Sequence, residues 1–109
     1  MNQKQFLDEF KAITQEMHSI AEKKNHDYSA DSQSPFRNFT MVETMGASST
    51  EQGFFTRMND KMMRIAGFLK TGVLKVTDEK IEDTLMDLAN YSIIFICYLR
   101  SKKKNGKID

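Results

Sequence analysis

Residues 78–101, DEKIEDTLMDLANYSIIFICYLRS, decide the fold class. No proline or glycine interrupts the stretch, and its polar and apolar positions repeat with a helical period. At roughly 100° per residue, Glu79, Asp83, Asp87 and Asn90 share one narrow sector, while Ile81, Leu85, Leu88, Ser92, Phe95 and Leu99 form the opposite, predicted core face. The acidic sector then runs into Ile94 and Tyr98, and Ile93 and Cys97 fill the flank. The C-terminal half of this helix is therefore apolar all round, which implies burial on more than one side. Cys97 reads there as a small buried hydrophobe. Carboxylates held at the mouth of a covered region need partners, and cations are the natural ones.

The preceding segment carries the complement. In RMNDKMMR, Arg57, Asp60, Lys61 and Arg64 lie at i, i+3, i+4 and i+7, one line on a helix surface. That line sits beside a predicted core face of Phe55, Met58, Met62, Ile65 and Leu69. The helix is predicted over Thr50–Thr71, with caps offered by ASST before it and Gly72 after it. If it packs antiparallel to the last helix, Lys61 and Arg64 face Asp83 and Asp87. Two readings of these stripes are open: an interhelical salt-bridge network, or a site for phosphate and a hard cation such as Mg²⁺. Glu79 has a further reading, since an acid in a first turn complements the helix dipole.

Towards the N-terminus, a short helix is predicted from Arg37 to Met45, stopped by Gly46, after the loop HDYSADSQSPFRNF with its single proline. The first helix is predicted from Gln3 to Lys24, fraying near Asn25. Its apolar face is Phe6, Phe10, Ile13, Met17 and Ile20, and Asn2 with Gln5 supplies a capping box. The last helix is expected to start at Asp78 after Thr77 as N-cap and to end near Ser101, leaving 102–109 as a basic flexible tail. The expectation is one all-α domain over residues 1–101, a bundle of three long helices and one short one.

The chain has 109 residues, of which 39% are apolar and 28% charged, as in a globular domain with its own core. A net charge of +1 predicts no strong binding to nucleic acid or membranes. One cysteine excludes an internal disulfide framework. The N-terminus lacks the apolar core of a signal peptide, and the longest apolar run, Tyr91–Leu99, is far short of the ~20 residues of a spanning helix. The expected location is cytoplasmic, the host cytoplasm if the gene is carried by a phage.

Taken together, KKNHDY, FRNF, RMNDKMMRI and DTLMDLANY resemble phage and prophage relatives of the MazG-like, all-α nucleoside triphosphate pyrophosphatases. The likeness runs from Lys24 to Leu99 and includes the order of the motifs. It implies a helical bundle that forms a homo-oligomer, binds Mg²⁺ through helix carboxylates, and cleaves a nucleotide to a monophosphate and pyrophosphate. Carried over by position, Asp83 and Asp87 would be catalytic metal ligands, with Glu79 and Asp60 as further candidate ligands. Arg57, Lys61 and Arg64 would contact phosphates. Asn90 or Tyr91 would contact the sugar or a phosphate. Lys24, Asp27 and Tyr28, with Asn38 and Phe39, would close the nucleotide site from the loop side.

The sequence departs from that family at one place. The pyrophosphatases carry a Glu-x-x-Glu pair on the helix before the last, whereas here no glutamate occurs between Gln52 and Thr77. Glu51 and Glu43 are poor substitutes by spacing. Three readings follow: one metal does the work of several, a partner subunit lends acids, or the site binds nucleotides without cleaving them. The expected function is Mg²⁺-dependent nucleotide pyrophosphohydrolysis, the alternatives being a non-catalytic nucleotide-binding module and a structural helical dimer.

Overall fold

The computed structural model describes residues 1–29, 34–72 and 80–104, the side chains of 27–29 excepted. Four α-helices follow in order: α1 (Gln3–Ser29), α2 (Arg37–Thr44), α3 (Thr50–Thr71) and α4 (Ile81–Lys104). No strand occurs among the described residues, so the all-α expectation holds. The chain divides into two compact units, Met1–Pro35 and Phe36–Asp109.

In the first unit, α1 opens on the predicted capping box. Gln5 N donates to Asn2 Oδ1 at 2.8 Å, and Asn2 N donates to Gln5 Oε1 at 2.9 Å. The helix does not fray at Asn25 but continues to Ser29. Nothing in residues 25–29 breaks a helix, and Asn25 Nδ2 donates to the Pro35 carbonyl at 2.8 Å, tying the last turns to the end of the unit. Residues 1–16 are exposed throughout, including Phe6, Leu7, Phe10 and Ile13.

The second unit is built around α3. Its N-terminus is closed by a capping box between Ser49 and Gln52, and Glu43 Oε1 accepts a further bond from Thr50 N at 3.0 Å. Gly46 and Gly72, both at φ 78°, terminate α2 and α3 as expected. Residues 73–79, including the predicted Thr77 cap, Asp78 and Glu79, lie outside the described residues. Lys80 is not helical, so α4 starts at Ile81, later than the predicted Asp78. There Lys80 N donates to Asp83 Oδ2 at 3.3 Å, which engages Asp83 at the helix start. At its other end α4 continues to Lys104, so Lys102–Lys104 form its last turn and not the start of a flexible tail. Lys102 Nζ lies 3.4 Å from Glu51.

Pairing of Glu51 with Lys102, Phe54 with Phe95, and Lys61 with Asp87 sets α3 antiparallel to α4. The core of this unit is a stack of three rings, one each from α2, α3 and α4. Phe39 lies on Phe54 at 4.1 Å and 9°, and Phe54 on Phe95 at 4.6 Å and 2°. Tyr91 meets Phe39 edge-on at 6.0 Å, and Tyr98 meets Phe36 edge-on at 5.5 Å.

This packing displaces the predicted core face of α3 and keeps most of that of α4. On α3 the buried line is Thr50 and Phe54, continued by the partly covered Arg57 and Lys61; of the predicted face, Met58 and Ile65 are partly covered, whereas Phe55, Met62 and Leu69 are exposed. The residues read as a basic stripe thus share the inward face with the core. On α4 the predicted Ile81, Leu88, Ser92, Phe95 and Leu99 are partly covered, with Phe95 in the ring stack, but the most deeply buried positions are the polar Thr84 and Asn90, beside Asp87 and Tyr91; Leu85, Ile93 and Ile96 are about half exposed and Cys97 is exposed. The physical reason is aromatic: one ring each from α2, α3 and α4 fixes the rotation of the helices, which leaves Leu69, Leu85, Ile93 and Ile96 facing outward.

Two glycines test this packing in opposite directions. A Cβ on Gly53 would lie 2.8 Å from Val42 Cγ2, so α2 approaches α3 there because the side chain is absent. Gly53→Val is expected to destabilise by about 1–3 kcal/mol through overpacking. Gly67 faces open space, and Gly67→Ala is expected to stabilise by up to ~1 kcal/mol through helix propensity. Urea unfolding of both variants checks the pair.

Candidate functional site

The acidic and basic stripes meet between α3 and α4. Lys61 Nζ lies 2.9 Å from Asp87 Oδ2, and the two side chains are only 15% and 18% exposed. Position 61 is three turns beyond Thr50 on the inward line of α3, and position 87 follows Thr84 on the inward line of α4. Both Thr50 and Thr84 are fully buried. The antiparallel packing therefore brings the two charges together and shields them, which strengthens their attraction relative to a surface pair.

Around this pair the predicted residues separate into groups. Arg57 donates through Nη2 to the Asn38 carbonyl at 3.0 Å, with its guanidinium 4.7 Å from the Phe39 ring centre. Arg57 thus fastens α2 to α3. Phe39 is 5% exposed and stacked on Phe54, so its ring packs the core and positions Arg57. Tyr91 is half-buried against Phe39, and Asn90 is buried one turn beyond Asp87. Arg64, one turn beyond Lys61, is exposed. Asp60 and Asp83 are also exposed.

Lys24 is exposed on α1, in the first unit. The side chains of Asp27 and Tyr28, and all of Glu79, lie outside the described residues.

A second polar cluster at the opposite end of α3 was not foreseen from sequence. It comprises Thr50, Glu51, Tyr98 and Lys102. Burial pushes the Tyr98 phenol above its ordinary pKa, and the Glu51 carboxylate acts in the same direction, while the Thr50 hydroxyl and the Lys102 ammonium oppose the shift. Lys102 Nζ lies 5.5 Å over the Tyr98 ring. The only sequence signal for this cluster is the helical register of Thr50 with Phe54, which places position 50 on the buried face. Glu51 and Lys102 then fasten the ends of the two helices.

The α3–α4 face sets a shielded ammonium against a carboxylate, with a guanidinium on the next turn. Lys61 carries three N–H donors, one of them directed at Asp87, and Arg64 carries five; ammonium and guanidinium are both groups suited to phosphate oxygens. The described acids do not fit a divalent metal. Among the described residues no three His, Cys, Asp or Glu side chains are grouped to hold one. Asp87 is already paired with Lys61, and Asp83 accepts from the backbone at the helix start.

No helix among the described residues is long and apolar enough to cross a membrane. A family model described as "nucleotide modification associated domain 1" matches residues 24–99, which contain α2, α3 and most of α4. Comparisons with curated proteins and with solved structures return no significant match.

Proposed function

The chain belongs to the nucleotide modification associated domain 1 family, and from that premise we propose that it binds a nucleotide by its phosphates on the α3–α4 face. The observation that carries the reading is the shielded Lys61–Asp87 pair at 2.9 Å with Arg64 on the next turn. Asp87 holds the ammonium in place, and the lysine and Arg64 supply donors for phosphate oxygens. Asn90 and Tyr91, beside Asp87 on α4, are the candidates for a sugar or phosphate contact. Arg57, Asn38 and Phe39 support the face from α2.

The resemblance to MazG-like pyrophosphatases supports a second reading, in which the bound triphosphate is cleaved to a monophosphate and pyrophosphate. Its structural support is the pair Asp83 and Asp87, one turn apart on α4. In that reading the charge on the phosphates would be met by Lys61 and Arg64, since the described acids do not fit a divalent metal.

A thermal-shift series with nucleoside mono-, di- and triphosphates, with product analysis of each mixture, tests both readings. A ligand held at a hundred times its Kd stabilises by about 2.7 kcal/mol, which in a domain of this size raises Tm by on the order of 10 °C. Such a shift with a triphosphate is the expected result. Pyrophosphate release in the same mixture would establish the hydrolase, and no shift with any nucleotide would sink the phosphate reading.

The homo-oligomer implied by the same resemblance has a candidate surface on α1, where Phe6, Leu7, Phe10 and Ile13 are exposed within two turns. A contiguous apolar face of this kind is covered in stable proteins, here by a second copy of the chain. Phe10→Glu is expected to shift the molecular mass measured by light scattering towards the monomer. An unchanged mass would remove α1 from the interface.

A further inference from the structure

Resting on the phosphate reading above, we propose that Lys61 is a tethered cation: it occupies the place on Asp87 that a divalent metal would need, so phosphate binding at this face is metal-independent. Three observations converge on it. The ammonium lies 2.9 Å from the Asp87 carboxylate, and both side chains are more than four-fifths covered. Lys61 and Asp87 come from two long helices held in register by the Phe54–Phe95 stack on one side of the pair. Among the described acids of the face, Asp83 is engaged by the backbone of Lys80 and Asp60 is exposed to solvent.

A divalent ion brought to Asp87 would sit against the lysine ammonium in a partly desolvated space, where like charges repel strongly. For it to bind, the lysine has to leave. Phosphate has no such conflict. An ammonium carries three N–H donors; Asp87 accepts one, and the others serve phosphate oxygens. The same lysine therefore both fills the metal position and supplies the positive charge that a metal would bring. This also gives a role to the missing glutamates of α3: with a built-in cation, the helix has no need of a second carboxylate pair.

The test uses the full chain and Mn²⁺ alone, followed by electron paramagnetic resonance, beside the nucleotide series run in EDTA and in Mg²⁺. Lys61→Met is expected to bind Mn²⁺ at least ten-fold more tightly than the unmodified protein, and adding Asp87→Asn is expected to remove the gain. The unmodified protein and Asp87→Asn alone are expected to give superimposable Mn²⁺ titrations, a comparison that stands if Lys61→Met does not fold. Loss of Mn²⁺ affinity in Asp87→Asn, or a folded Lys61→Met without gain, would overturn the proposal. Stabilisation by a triphosphate that is equal in EDTA and Mg²⁺ supports it. Stabilisation only in Mg²⁺ overturns it while leaving the nucleotide reading intact, whereas no stabilisation in either overturns both.

Discussion

Phe54→Ala is expected to destabilise the protein by about 3–5 kcal/mol, the range for removing a fully buried aromatic ring. Phe54 is 0% exposed and is the middle ring of the stack that joins α2, α3 and α4. It also meets Tyr98 at 5.7 Å. Losing it leaves Phe39 and Phe95 without their shared face, so part of the ring–ring attraction, about 0.5–1.5 kcal/mol per pair, goes with the buried area. Against a net stability of ~5–15 kcal/mol for a domain, that is a large fraction. The neighbouring Phe55 is 69% exposed, and Phe55→Ala is expected to stay within about 0.5 kcal/mol in the monomer. Chemical denaturation of the two variants side by side decides the rotation of α3. A larger loss at Phe55 would mean that the aliphatic face, and not the ring stack, is the core.

That comparison isolates what the sequence did and did not disclose. The helices themselves were legible because their ends carry strong local signals: Asn2 with Gln5, Ser49 with Gln52, Gly46 and Gly72. The face of α4 was legible in the main, since Leu88, Phe95 and Leu99 are partly covered, but the centre of the α3 face was not. Phe54 and Phe55 are adjacent, about 100° apart on the helix, and the Met58–Met62–Ile65–Leu69 periodicity favours Phe55 over the fully buried Phe54. An apolar face looks the same in sequence whether it packs within the chain or stays exposed for another surface. Thr50, Thr84 and Asn90 are buried polar residues, which no hydrophobic pattern marks. The meeting of Lys61 with Asp87 was readable because it needs only two complementary lines and an antiparallel packing. The engagement of Asp83 at the start of α4 was hidden by the later start of that helix.

The second large effect falls on the Lys61–Asp87 pair, and it separates stability from binding. Removing one partner of a fully buried ion pair costs about 3–5 kcal/mol. This pair keeps some contact with water, so Lys61→Met and Asp87→Leu are each expected to cost on the order of 2 kcal/mol. The double variant removes both desolvated charges together and fills the space with apolar atoms. It is expected to recover most of the loss, with a coupling within the ~0.5–3 kcal/mol range of residues in contact. A scaffold role for the pair predicts nothing more than this cycle. A phosphate role adds that the double variant, though refolded to near-native stability, no longer gains Tm from a nucleoside triphosphate, because the ammonium is gone. If the double variant is stable and its nucleotide response is undiminished, Lys61 does not touch the ligand and the phosphates have to be sought elsewhere on the chain. If stability returns and the response does not, the lysine that holds α3 to α4 is also the group that recognises phosphate.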